Sequence, residues 1–89
     1  MFRMTESSSS EGRLTLQLAG NVSVDALPEI DRLLLDCRRN STPVVLDLAD
    51  VALMDREAVR FFAGQLRRGI ELVNCPGYLE HWISREIFP

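Results

Sequence analysis

The stretch Val44 to Ala58, VVLDLADVALMDREA, sets the tightest limit on how this chain folds. Val44 to Leu48 is apolar except for Asp47, the pattern of a strand buried on both faces. Ala49 to Met54 reads as a short loop that Val51 and Leu53 plug into the core. Asp55 follows, and a helical pattern begins directly after it. A buried strand, a loop and a helix start form the frame in which α/β proteins place ligands and partners, because strand ends and helix N-termini meet there. This chain fills the frame with Arg56-Glu57-Ala58.

The helix predicted next runs from about Arg56 to Arg68. Ala58, Val59, Phe62, Ala63 and Leu66 make its buried stripe at helical spacing. Asp55 is placed to cap it, and Glu57 in the first turn suits the positive helix end. Phe61 lies off the stripe. It reads either as an aromatic at the core edge or as an exposed anchor for a partner.

Upstream, Arg13 to Leu18 alternates, with Leu14, Leu16 and Leu18 on one side, as a strand with one buried face does. Gly20-Asn21 ends it. Ser23 or Asp25 is placed to cap a helix in which Pro28 falls in the first turn, where its missing N–H is harmless. Ala26, Leu27, Ile30, Leu33, Leu34 and Cys37 form the buried stripe of that helix, and Leu35 is left exposed. Asn40 to Pro43 is a loop, and Pro43 suits the start of the central strand. Met1 to Thr5 reads as a short edge strand, and residues 6–12, with four consecutive serines, as a flexible, solvated loop. After Gly69 come a short strand, Ile70 to Val73, a turn at Asn74-Cys75-Pro76-Gly77, and a last helix. Its apolar side carries Tyr78, Leu79, Trp82, Ile83 and Ile87. His81 and Trp82 read as surface and packing residues.

Strands that alternate with helices imply a mostly parallel sheet with crossover helices. With 89 residues there is room for one domain, residues 1–89, with a modest core that a partner or self-association would help to stabilise. A net charge of −3 and a pI of about 5.0 argue against nucleic acid as a partner. No apolar run approaches the roughly 20 residues that span a bilayer. The serine-rich N-terminal region lacks a signal-like apolar core, so direct membrane insertion is not expected and a cytoplasmic location is. Cys37 and Cys75 lack CxxC spacing and read as reduced structural thiols. With His81 the one histidine, neither a metal site nor a cofactor is expected.

Two stretches now carry a resemblance. GNVSVDALPEI, Gly20 to Ile30, and DLADVALMDREA, Asp47 to Ala58, resemble the two landmark motifs of the STAS domain, named for sulfate transporters and anti-sigma factor antagonists. Gly20, Pro28 and Glu29 fall in place in the first, and Asp47, Val51 and Asp55 in the second. GIELVN, Gly69 to Asn74, resembles the strand that follows. The likeness covers roughly Leu14 to Ile83. It implies an α/β fold: a small, mostly parallel sheet of four to five strands with helices packed around it. The chain departs from the family where the family is regulated. The Ser or Thr that is phosphorylated directly after the second Asp is Arg56 here, so no phosphorylation site is expected at that position. The next serine is Glu57, the family glycine is Ala58, and an earlier acidic residue is Ser23. The family's final helix is expected to be shortened or missing.

The resemblance implies binding, not catalysis. In anti-sigma factor antagonists the unphosphorylated domain binds an anti-sigma factor kinase, and a phosphate of nearly two negative charges ends the binding. The leading expectation is therefore a bacterial regulatory module that binds a protein partner without the switch. Its partner surface comprises Ser23, Asp25, Asp55, Arg56, Glu57, Arg60 and Phe61. A second reading is an accessory subunit of a lipid or anion transporter, bound to its ATPase. A third is a scaffold that pairs with itself, because Leu35 and Phe61 give it apolar faces for a homodimer. An enzyme using Asp47 and Asp55 as an acid–base pair is set aside, since both aspartates have structural roles as loop anchor and helix cap.

Overall fold

The computed structural model describes residues 2–9 and 11–87. Met1 and Ser10, on which part of the expected edge strand and serine loop falls, lie outside them, as do Phe88 and Pro89. The element order is β1 (Phe2–Ser8), β2 (Leu14–Val22), a short 3-10 turn (Val24–Ala26), α1 (Leu27–Arg39), β3 (Val44–Met54), α2 (Arg56–Arg67), β4 (Glu71–Val73) and α3 (Gly77–Ile87). The four strands form one sheet in the order β1-β2-β3-β4. β1 runs antiparallel to β2, while β2 with β3 and β3 with β4 are parallel. Both parallel connections advance the same way across the sheet. Right-handed crossovers therefore set α1 and α2 on one face.

One apolar core joins that face of the sheet to the helices. Leu16 and Leu18 of β2 and Leu46 and Leu48 of β3 meet Ile30 and Leu34 of α1, Val59 and Phe62 of α2, and Leu79 and Ile83 of α3. The alternation of β2 is as expected: Leu14, Leu16 and Leu18 are buried and Gln17 is exposed. The α1 stripe also holds, with Ile30, Leu34 and Cys37 buried and Leu35 at the surface.

Several expectations are corrected. Glu6, Ser7 and Ser8 are not loop: they extend β1 and pair with Leu16, Thr15 and Leu14. An edge strand pairs through its backbone, so polar side chains do not forbid it. After β1 the Ser9 hydroxyl oxygen accepts the Glu11 and Arg13 N–H groups. Neither Ser23 nor Asp25 caps α1 with its side chain; α1 is entered from the 3-10 turn, with Pro28 in its first turn.

The largest correction concerns residues 49–54, which are strand. β3 runs to Met54, paired with β2 as far as Val22. Irregularities at Gln17/Ala19 and Gly20/Asn21 let β3 advance ten residues, Val44 to Met54, while β2 advances eight, Leu14 to Val22. Two bulges thus absorb two extra residues. Burial falls on Leu48, Val51 and Met54 in place of strict alternation. Val51 is in the core as expected, but Leu53 is turned outward and 60% exposed.

α2 ends as expected at Gly69, whose φ of +88° suits glycine. Its buried stripe shifts by one at the C-terminal end: Gln65 is buried and Leu66 sits at the surface. Tyr78 is likewise outside the core. Its hydroxyl donates to the carbonyl of Ala52 at 2.6 Å, fastening α3 to the end of β3. Among the described residues no helix is long and apolar enough to cross a membrane.

Candidate functional site

The C-terminal ends of β2 and β3 lead into α1 and α2, and Asp55 joins the two connections. It is the N-cap of α2: its Oδ1 accepts the Ala58 N–H at 2.8 Å. Its Oδ2 accepts the Val24 N–H, from the other connection, at 2.9 Å. The Asp55 N–H in turn donates to the Val22 carbonyl at 3.2 Å. Three bonds through one residue hold the Ser23–Asp25 segment beside the first turn of α2. A carboxylate accepts such bonds more strongly than a neutral oxygen does.

Asp47 has a similar task ahead of both bulges. Its Oδ1 accepts the Ala49 N–H at 3.0 Å and the Asn74 side-chain amide at 3.3 Å, fastening β3 to the β4–α3 turn. Asn74 itself sits at φ +54°, a conformation Asn tolerates better than most residues. Both aspartates are thus engaged in holding backbone.

Arg56 opens α2 at its first helical position. A cation there opposes the positive helix end, and three carboxylates offset it. Asp55 caps the helix, Glu57 lies in the first turn, and Glu86 reaches across from α3. The Arg56 Nε stands 4.0 Å from Glu86 Oε1, and the Arg60 Nε stands 3.8 Å from Glu86 Oε2. Arg60 also faces Glu57 at 3.7 Å, one helical turn away. The Arg67 guanidinium donates to the Glu86 backbone carbonyl at 2.9 Å. Arg56, Arg60 and Arg67 lie on one stripe of α2 and converge on one residue of α3.

The structure therefore gathers most of the predicted surface and divides it in two. Ser23, Asp25 and Asp55 adjoin through the Val24 bond. Arg56, Glu57 and Arg60 form a charged strip turned toward α3. Phe61 points the other way. It is half-buried, packs edge-on against Phe62 with ring centroids 5.2 Å apart, and lines a groove with Val24, Leu27 and Pro28. Of its two readings, the core-edge aromatic is the one observed.

Two residues belong to this surface that the sequence did not mark. Glu86 is separated from Arg56 by thirty positions, with no local pattern to join them. Val24 is 50% exposed, an apolar side chain between the two polar residues that drew attention. Among the described residues no cluster of three or more metal-ligating side chains forms.

A likeness in the solved structures agrees with this architecture. An uncharacterized protein of the DUF3478 family with a SpoIIAA-like fold, from Shewanella loihica PV-4, aligns with a TM-score of 0.61. The alignment covers 94% of this chain and 74% of that one, at 14% sequence identity. No family model and no curated protein matches the chain. The protein has a SpoIIAA-like, mixed α/β fold, mostly parallel after its first strand pair, the fold class that the STAS resemblance implies.

Proposed function

We propose that this chain is a non-catalytic, STAS-like protein-binding module whose partner surface is the first turn of α2 with the adjoining Ser23–Asp25 segment, and that it works without the phosphorylation switch. The observation that carries the reading is Arg56. It occupies the position that the STAS resemblance assigns to the phosphorylated Ser or Thr, and it is tied into the domain by Glu86. The frame around it, Asp47 and Asp55, keeps its structural bonds. A cation fixed at this helix start gives the surface one permanent charge state. The module is accordingly competent to bind at all times. Its partner is of the anti-sigma factor kinase class, or a relative of that class that accepts a guanidinium where others meet a hydroxyl.

Affinity capture with the wild-type chain and Arg56→Glu tests this. Loss of the captured partner with Arg56→Glu supports the assigned surface. Recovery of the same partners in the same amounts by both proteins contradicts it. A transporter ATPase as the captured partner would replace the kinase-type partner while keeping the surface.

A further inference from the structure

At the opposite end of the sheet a second cleft, of about 310 Å³, opens between the C-terminal ends of α1 and α2. Its apolar floor includes Leu34, Val45 and Ile70. Three arginines line it: Arg13 from the start of β2, Arg38 from the last turn of α1 and Arg68 from the C-cap of α2. None of the three forms an ion pair among the described residues, whereas Arg56 and Arg60 both do. Glu71 is the one acidic residue of the lining. A protein with a net charge of −3 thus collects three cations against one anion around a single cleft.

Helix ends explain part of this and not all of it. Arg38 and Arg68 complement the negative ends of α1 and α2. Arg13 belongs to neither helix. It is brought to the cleft by the Leu14 N–H, which donates to the Pro43 carbonyl at 2.9 Å. Six of the helix-end carbonyls, which would repel an anion more strongly if bare, already accept backbone N–H groups. Those of Asp36, Cys37 and Arg38 accept the N–H groups of Asn40, Thr42 and Ser41. Those of Gly64, Gln65 and Leu66 accept from Arg68, Ile70 and Gly69. What the cleft offers a ligand is therefore guanidinium donors over apolar carbon.

We infer that this cleft binds a small organic anion bearing at least two negative charges, of the phosphate monoester class, with its charged head on Arg13, Arg38 and Arg68 and a short apolar body over Leu34, Val45 and Ile70. Guanidinium forks match phosphate oxygens in pairs. The volume lies at the small end of ligand clefts, about 300–1,000 Å³. The site lies away from the α2 start, although Arg68 also borders the Phe61 groove; Arg13 and Arg38 belong to this cleft and not to that groove.

Phenyl phosphate and inorganic phosphate are the probes, titrated into the isotope-labelled full chain at low salt while amide shifts are followed by NMR. The expected result is saturable shifts at Thr42, Gly69 and Ile70, with phenyl phosphate binding more tightly than inorganic phosphate. Arg38→Gln and Arg68→Gln should each weaken phenyl phosphate about tenfold or more. Arg85→Gln, at an exposed position outside the cleft, should leave it unchanged. The amide spectrum of each variant reports whether it is folded. Absence of saturable shifts in the wild-type chain overturns the inference. So does binding that survives in a folded Arg38→Gln/Arg68→Gln double variant.

Discussion

The carboxylate of Asp55 accepts the backbone N–H of Val24 at 2.9 Å, across thirty-one positions of sequence. With its other oxygen it caps α2 through Ala58. One side chain thereby sets the distance between the two connections that carry the candidate partner surface.

Asp55→Ala removes both bonds and is expected to destabilise the domain by about 1–3 kcal/mol. Asp55→Asn keeps an oxygen for the Ala58 cap but turns an NH2 group toward the Val24 N–H, so its loss should fall between wild type and alanine. Urea unfolding of the three proteins measures this. An asparagine variant as stable as wild type would remove the Val24 bond from the account.

Phe62 and Leu53 are both large and apolar, with opposite placements: Phe62 is fully buried and Leu53 is 60% exposed. Phe62→Ala should cost about 3–5 kcal/mol, through lost burial and the cavity left behind. That is a large share of the roughly 5–15 kcal/mol that holds an ordinary domain together. Leu53→Ala should stay within about 0.5 kcal/mol. Thermal melts separate the two. A large loss at Leu53 would mean that β3 lacks its bulges.

The Arg56–Glu86 pair spans two helices but remains wet, with 68% of the arginine side chain and 25% of the glutamate side chain exposed. A double-mutant cycle with Arg56→Ser and Glu86→Gln should give a coupling of about 0.2–1 kcal/mol that shrinks as salt is added. A larger, salt-independent coupling would mean that the pair is part of the core.

Both cysteines are free thiols, and both hold their protons more tightly than an ordinary thiol. For Cys37 burial is the leading cause, with Glu6 and Asp36 adding to it; for Cys75 it is again burial, with Glu80. The unfolded chain therefore releases these protons first as pH rises. The stability they contribute is fully present below the ordinary thiol range and is lost as pH climbs through and above it. Unfolding free energy should be flat in this contribution near neutral pH and fall toward alkaline pH, with a shallower slope in Cys37→Ala/Cys75→Ala. Thiol labelling at neutral pH should be slow at Cys37, which is also sterically covered.

The sequence was most informative where side chains report on their own element. Leu14, Leu16 and Leu18 revealed a half-buried strand, the α1 stripe revealed its face, and Asp55 before a helical pattern revealed a cap. It was least informative where geometry depends on a neighbour. Ala49 to Met54 lost its period because two bulges realign β3 against β2, which also turned Leu53 outward and Met54 inward. Glu6 to Ser8 looked like loop because edge pairing is made by backbone alone. For the candidate surface, the residues within each connection were picked out by the STAS resemblance and by their place at a helix start. Glu86 and Val24 were not, because α3 folding back onto α2 and the exposure left at Val24 are tertiary facts.

The central claim is that the first turn of α2 binds a protein partner with Arg56 as a permanent feature of the surface. The most direct measurement is an equilibrium titration of the captured partner against wild type, Arg56→Ser and Arg56→Glu, each confirmed folded. The account predicts that Arg56→Glu, which reverses the charge where the partner docks, weakens binding by about tenfold or more, with Arg56→Ser intermediate. Equal affinities for the three proteins would contradict it.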